Sequence, residues 1–286
     1  NVYGQLGDYT NTNRLLPVQT KEMQNVVQVS AGRWHALMLR GDGTVWGIGR
    51  NYYGELGINS TMTSSGSSDQ GIRVAKQVMN ENKDGVLKDI TEIACGGWHS
   101  VALTTNKQVL TWGYGGNGQL GNKASSNISY PRFVLDNTDG LNGIGNIRKI
   151  GTSERITFLI TDDNEVLATG ENSDYQLSQN NNTDLLVVNK LYDYNGENYI
   201  NGIINVPHSI ENTYNTALIK NDGTVYVSGS GQYGQIGNGY YNNAKLYTRM
   251  GNAKLVLDEN EILFNSINIP EIISLILKGI NKAFNY

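Results

Sequence analysis

From residue 35 the chain reads HALMLRGDGTVWGIG, two short apolar runs on either side of Asp42-Gly43. Strand-forming runs around an Asp-Gly pair predict a β-hairpin, and Leu37, Leu39, Val45 and Trp46 are the side chains that fit its arms. The pattern returns at Asp222-Gly223, with Asn106-Lys107 and Asp163-Asn164 as weaker turns. The arms do not alternate cleanly. HSVAL (99–103) ends in three successive apolar residues, which predicts strands buried on both faces. No run reaches the ~18 apolar residues of a membrane helix; the most apolar, IPEIISLILKGI (269–280), is broken by Glu271 and Lys278.

The hairpins recur with a period. Gly49, Gly113, Gly170 and Gly229 each close one, about every 60 residues, and a fixed period marks a repeat architecture. VSAGRWHALMLRGDGTVWGIG (29–49) matches IACGGWHSVALTTNKQVLTWG (93–113), with looser copies at 150–170 and 211–229. A second phrase keeps the same rhythm: YGQLG (3–7), YGELG (53–57), NGQLG (117–121) and YGQIG (233–237). Its glycines suit positive φ or close backbone approach. Its Leu6, Leu56, Leu120, Leu177 or Ile236 is expected to plug between units. About 60 residues hold four strands with their loops, and radial stacking of such sheets is a β-propeller; a linear solenoid has a shorter repeat and ranks second. The predicted fold is all-β, a propeller of four-stranded blades forming one domain over 1–286, with degenerate part-repeats over 251–286.

Composition agrees and narrows the function. The chain has 34 Gly, 4 Pro, 17 Tyr and 4 Trp, as expected of a turn-rich β protein. Charged residues are 17% of the total and the net charge is −4, without the basic excess of a nucleic-acid binder. The single cysteine, Cys95, has no partner for an intramolecular disulfide and leaves the compartment open.

The consecutive stretches AGRWHALMLRGDGTVWGIGRNYYGELG and GGWHSVALTTNKQVLTWGYGGNGQLG resemble the regulator-of-chromosome-condensation repeat family. The resemblance implies a propeller, usually of seven blades. YPRFVLDNTDGLNGIGNIRKIG (130–151) is similar to the elaborated repeats of bacterial, envelope-associated members, so an extracellular or cell-surface location is the expectation. The chain departs from the family pattern at Ile156 and Asn215, which stand in the His slot, and at YQLSQ (175–179). LDENEILFNS (257–266) resembles TDDNEVLATG (161–170), and SLILKGINKAF (274–284) can be laid on VQVSAGRWHAL (27–37). On that reading the chain is a piece of a longer array, ahead of the alternative of an unusual small or incomplete propeller, and self-association or dependence on a further segment is expected.

Candidate chemistry is sparse. His35 and His99 occupy one repeat slot, which points to the same structural work in two blades; His208 stands outside it. The resemblance places that slot at blade ends, where the family's exchange factor meets its GTPase. Arg33, Trp34, His35, Trp98 and His99 therefore form the candidate binding face, against a competing reading in which the tryptophans pack between blades. There is no Gly-x-Ser-x-Gly elbow and no His-Glu-x-x-His, and GYGGNG (113–118) lacks the Lys-Ser/Thr of a phosphate loop. Cys95 falls in the slot of Ala31 and reads as a small buried hydrophobe. NENKDG (80–85) faintly resembles a calcium loop, but Thr91 stands where its closing Glu belongs and Glu92 misses by one. It reads as a turn, as does DYNGEN (193–198). Asn59, Asn127 and Asn181 begin glycosylation sequons. Loop tyrosines such as Tyr192, Tyr194, Tyr240 and Tyr241 suit protein interfaces. The sequence reading is thus a non-catalytic module with no cofactor, no metal, no nucleic acid and no membrane insertion, which binds a protein partner or a glycan. The alternatives are an exchange factor for a small GTPase and an inhibitor resembling β-lactamase inhibitor protein II.

Overall fold

A computed structural model describes residues 1–62, 71–135, 144–206 and 214–254, the side chains of 251–254 excepted. His208 and the two part-repeats at 257–266 and 274–284 lie outside the described residues. Among the described residues sixteen strands form four four-stranded antiparallel sheets in chain order. The first blade holds β1 (Val26–Ala31), β2 (His35–Arg40), β3 (Val45–Gly49) and β4 (Ile72–Gln77). The second holds β5 (Ile90–Cys95), β6 (His99–Thr104), β7 (Val109–Gly113) and β8 (Ile128–Phe133). The third holds β9 (Ile147–Thr152), β10 (Ile156–Thr161), β11 (Val166–Gly170) and β12 (Leu185–Lys190). The fourth holds β13 (Ile203–Asn205), β14 (Asn215–Lys220), β15 (Thr224–Gly229) and β16 (Ala244–Lys254). No helix occurs among the described residues.

The Asp-Gly hairpin forms with one residue more than a two-residue loop. Arg40 C=O accepts the Gly43 N–H at 2.9 Å, Arg40 N–H donates to Thr44 C=O at 2.9 Å, and Gly43 has φ 78°. This is a type I turn followed by a left-handed residue, the common three-residue hairpin. The Asp42 carboxylate accepts the Thr44 N–H at 3.0 Å and its hydroxyl at 2.6 Å, which closes the loop from inside. Lys107, Asn164 and Gly223 take the left-handed place in the other blades, so the turn survives without Gly where the sequence signal weakens.

Gly170, which ends β11, shows why the period is punctuated by glycine. Its φ is 126°, and a Cβ there would lie 2.2 Å from the Arg155 carbonyl oxygen. Gly49, Gly113 and Gly229 are held the same way beneath Trp34, Trp98 and Tyr214.

The core lies between blades rather than inside them. Leu37, Leu39 and Val45 pack on Ile90, Ile93, Cys95 and Trp112 across the first junction. Val101, Leu103 and Val109 meet Ile147, Ile150 and Leu159 across the second, and Phe158 and Ile160 meet Ile203, Leu218 and Tyr247 across the third. Hence β6 and β10 are buried on both faces, as the run HSVAL predicts. Leu56, Leu120, Leu177 and Ile236 are fully buried and Leu6 partly so. The loops carrying Leu56 and Leu120 lie on the outer strand of the next blade: Asn59 N–H donates to Ser129 C=O at 2.7 Å, and Lys123 N–H to Leu186 C=O at 2.9 Å.

Candidate protein-binding face

Two backbone loops per blade are clamped side by side at one end of the arc. One joins the first two strands, and the other follows the anchoring glycine. Arg50 N–H donates to Trp34 C=O at 2.8 Å, Tyr114 N–H to Trp98 C=O at 2.9 Å, and Glu171 N–H to Arg155 C=O at 3.0 Å. Successive blades are tied as well: Arg33 N–H donates to Gly97 C=O at 3.2 Å and Gly97 N–H to Glu154 C=O at 3.0 Å. The side chains of these loops are therefore carried on a fixed backbone lattice.

The lattice interleaves guanidinium groups with rings. Arg33 lies 5.1 Å from the Trp34 ring centroid and 5.5 Å from that of Trp98. Arg155 lies on Trp98 at 5.2 Å. Arg50 is surrounded by Tyr3, Trp34, Tyr52 and Tyr53 at 5.9, 4.8, 5.1 and 4.8 Å. The rings also touch one another, Trp34 with Trp98 at 6.4 Å and Tyr53 with Tyr114 at 4.8 Å. Each cation has a carboxylate below it: Glu154 is 3.4 Å from Arg33, Glu171 3.2 Å from Arg155, and Glu55 3.6 Å from Arg50. Burial raises the Glu171 carboxyl above its ordinary range, against the pull of Arg155. Burial also pushes Glu55 up to about 7, although Arg50 and several backbone N–H groups pull it down.

Of the five residues expected at this face, Arg33, Trp34 and Trp98 are on it. His35 and His99 lie beneath it, buried as ties between blades. His35 Nε2 lies 3.1 Å from Ser100 Oγ, which donates to the Glu55 carbonyl at 2.8 Å. His99 Nε2 lies 3.0 Å from Thr157 Oγ1, which donates to the Gln119 carbonyl at 2.8 Å. Since each hydroxyl spends its proton on a carbonyl, each imidazole donates from Nε2. Burial, with the Arg50 charge second for His35 and the His35 charge second for His99, pushes both down to about 3, so both are neutral at ordinary pH. In the third blade Ile156 replaces the histidine, and Thr216 Oγ1, at the position of Ser100 and Thr157, is buried with no partner among the described residues.

The sequence reading missed Tyr3, Arg50, Tyr53, Tyr114, Glu154 and Arg155. A usable signal existed: Arg50, Tyr114 and Glu171 each follow an anchoring glycine directly, so position alone puts them beside the loops of Trp34, Trp98 and Arg155. The other candidates are absorbed by structure. Cys95 is buried and its thiol is pushed up to about 12 by that burial. In the 80–85 loop Asn80 Oδ1 accepts the Asp84 and Gly85 N–H groups at 3.2 and 3.3 Å, capping a turn.

Four successive sheets packed through both faces, with loops presented at the blade ends, define a repeat-built β-propeller of antiparallel blades. The chain belongs to the regulator of chromosome condensation (RCC1) repeat family, whose models match residues 1–39, 42–103 and 107–160, and again 26–55 and 90–119. It is similar to the human probable E3 ubiquitin-protein ligase HERC3, 28% identical over 80% of this chain and 20% of that protein. It is also similar to the Arabidopsis thaliana ultraviolet-B receptor UVR8, 30% identical over 49% of this chain and 30% of that one. It therefore spans less than a third of the length of either relative. Among solved structures it resembles yeast RCC1 (Prp20), with TM-score 0.65 and 19% identity over 83% of this chain and 51% of that one.

Proposed function

We propose that this chain is a non-catalytic binding module that holds a protein partner against the face built by Arg33, Trp34, Arg50, Trp98 and Arg155. One observation carries the reading: guanidinium groups and large rings, the side chains that dominate binding hot spots, are packed on each other in a backbone lattice that is already in place. Little conformational entropy is then left to lose on association. A protein fits better than a glycan, because guanidinium groups already lie against the rings a sugar would stack on. The non-catalytic reading draws on His35 and His99, whose ring nitrogens are committed between blades, and on the buried Cys95 thiol. Yeast RCC1, which shares this fold, was solved bound to Kap60 and characterised for binding Gsp1p and histones. Those are protein partners, and no feature of the face singles out a GTPase.

A photo-crosslinking residue at the exposed Tyr52, compared with one at the exposed Leu16, tests the reading in lysate of the source cells. The expected result is one dominant protein adduct from position 52 that disappears when Trp34 and Trp98 are replaced by Ala. The same adduct from position 16, or its persistence in the double variant, places binding elsewhere.

A further inference from the structure

The face is layered by charge. The guanidinium side chains of Arg33 and Arg155 are about one-third accessible, at 35% and 32%, whereas Glu154 and Glu171 are at 5% and 23% and Glu55 at 1%. An approaching molecule meets cations and ring edges, with the anions recessed beneath. Beside Trp98 the polar groups left over have the same polarity, while the leftover acceptor Glu55 Oε1 lies under Arg50 at 3.6 Å. Trp98 Nε1 and Arg155 Nε are buried donors without an acceptor among the described residues. Arg33 and Arg155 each reach their own carboxylate through Nη1, so most of the five N–H donors of each fork are left for another acceptor.

From this layering we propose that the partner recognised here offers an acidic segment, whose Asp or Glu carboxylate seats beside Trp98 between Arg33 and Arg155. The proposal rests on the protein-binding reading above and specifies its partner. A carboxylate matches the geometry of a guanidinium fork and carries four acceptor sites, enough to engage donors from both arginines. The arginines are held against rings before binding, so the fork is not ordered at the partner's expense. The three recessed carboxylates balance the three arginines, and the chain as a whole carries −4. Attraction is therefore local, which suits one or two carboxylates on a folded or extended protein segment rather than a polyphosphate backbone.

The test uses the purified chain and three synthetic twelve-residue peptides: one rich in Asp and Glu, a Lys counterpart and a neutral Ser/Asn counterpart. A single-stranded DNA oligonucleotide of the same charge is the fourth probe. Binding is read from tryptophan fluorescence, since Trp34 and Trp98 both lie in the site. The acidic peptide is expected to bind saturably and at least about tenfold tighter than the other three. Arg33→Ala with Arg155→Ala should cost about tenfold or more, and Lys at both positions should restore only part, because charge returns without the fork. Lys107→Ala, on a distant exposed ion pair with Asp162, should change nothing. Absent binding of the acidic peptide, equal binding of the Lys peptide, tighter binding of the oligonucleotide, or indifference to the arginine changes each overturns the proposal. If the crosslink at position 52 still maps to this face, the protein-binding reading survives that loss; if it does not, both fail.

Discussion

Glu55 stands in a slot that is Gln in the other repeats: Gln5, Gln119, Gln176 and Gln235. In all five the side-chain oxygen accepts the N–H two residues earlier, at 3.0 Å for Gln5, 2.7 Å for Glu55, 3.0 Å for Gln119, 2.9 Å for Gln176 and 2.7 Å for Gln235. Gln therefore does the structural work of Glu55 without the charge. Burial raises the Glu55 carboxyl from 4.5 to about 7, the Arg50 charge only partly offsetting it. Between those two values the folded protein holds a proton that the unfolded chain has released, so stability falls as pH rises through that window and the loss is complete above about 7. The difference corresponds to about 3 kcal/mol. Glu55→Gln should thus be nearly neutral at pH 4.5 and more stable than the parent by about 3 kcal/mol at pH 8. Urea unfolding of both proteins at pH 4.5, 6, 7 and 8 measures this, and the difference between them isolates Glu55 from every other titrating group. A difference that stays flat with pH, or a variant less stable at pH 8, would show that the Arg50 pairing outweighs burial and refute the reasoning.

The other predictions follow from the same geometry. Gly170→Ala puts a Cβ 2.2 Å from the Arg155 carbonyl at φ 126° and should cost about 3 kcal/mol or more, read as a lowered Tm. Leu120→Ala removes a fully buried plug and should cost about 2–5 kcal/mol, whereas Leu16→Ala at an exposed site should stay within about 0.5 kcal/mol. His99 is pushed down to about 3 in the fold, so the unfolded chain gains its proton first and stability falls as pH drops below about 6.5; His99→Asn should weaken that acid-side loss in pH-dependent unfolding. Cys95 should resist a thiol reagent in the native protein and react on unfolding. Rapid native labelling would contradict its burial.

The strands and turns were legible because they answer to local constraints written in single residues. The carbonyl packed under Gly170 requires glycine, and the chain spells that requirement out in every blade, whereas the left-handed φ of Gly43 is met by glycine again only at Gly223. The run HSVAL was legible as burial on two faces, though not which blade would cover which face. β1 shows the limit of such reading: Val27 and Val29 look like core residues but are 67% and 62% exposed, at the open edge of a face that Met23 covers only over Met38, Ile48 and Ala75. The exact turn was also out of reach, since Asp42 spends its carboxylate on Thr44 and lengthens the loop by one residue.

The face was only half legible, and the reason lies in what a repeat is. Comparing repeats picks out what recurs, and His35 and His99 recur because each blade must be tied to the next through a hydroxyl and a carbonyl. A partner, by contrast, is recognised by what differs between blades at one position. After the anchoring glycine the chain places Arg50, then Tyr114, then Glu171; in the neighbouring loop it places Trp34, Trp98 and Arg155. These residues share a backbone and not a chemistry, so each lattice site can change without disturbing the clamp beneath it. The same logic marks Glu55, the one charged residue in a slot of glutamines, which lies under the most enclosed arginine of the face. In this chain the recurring residues build the blades, and the departures from recurrence at the blade ends, Arg50, Tyr114, Arg155 and Glu171, join the recurring Trp34 and Trp98 in the face proposed above.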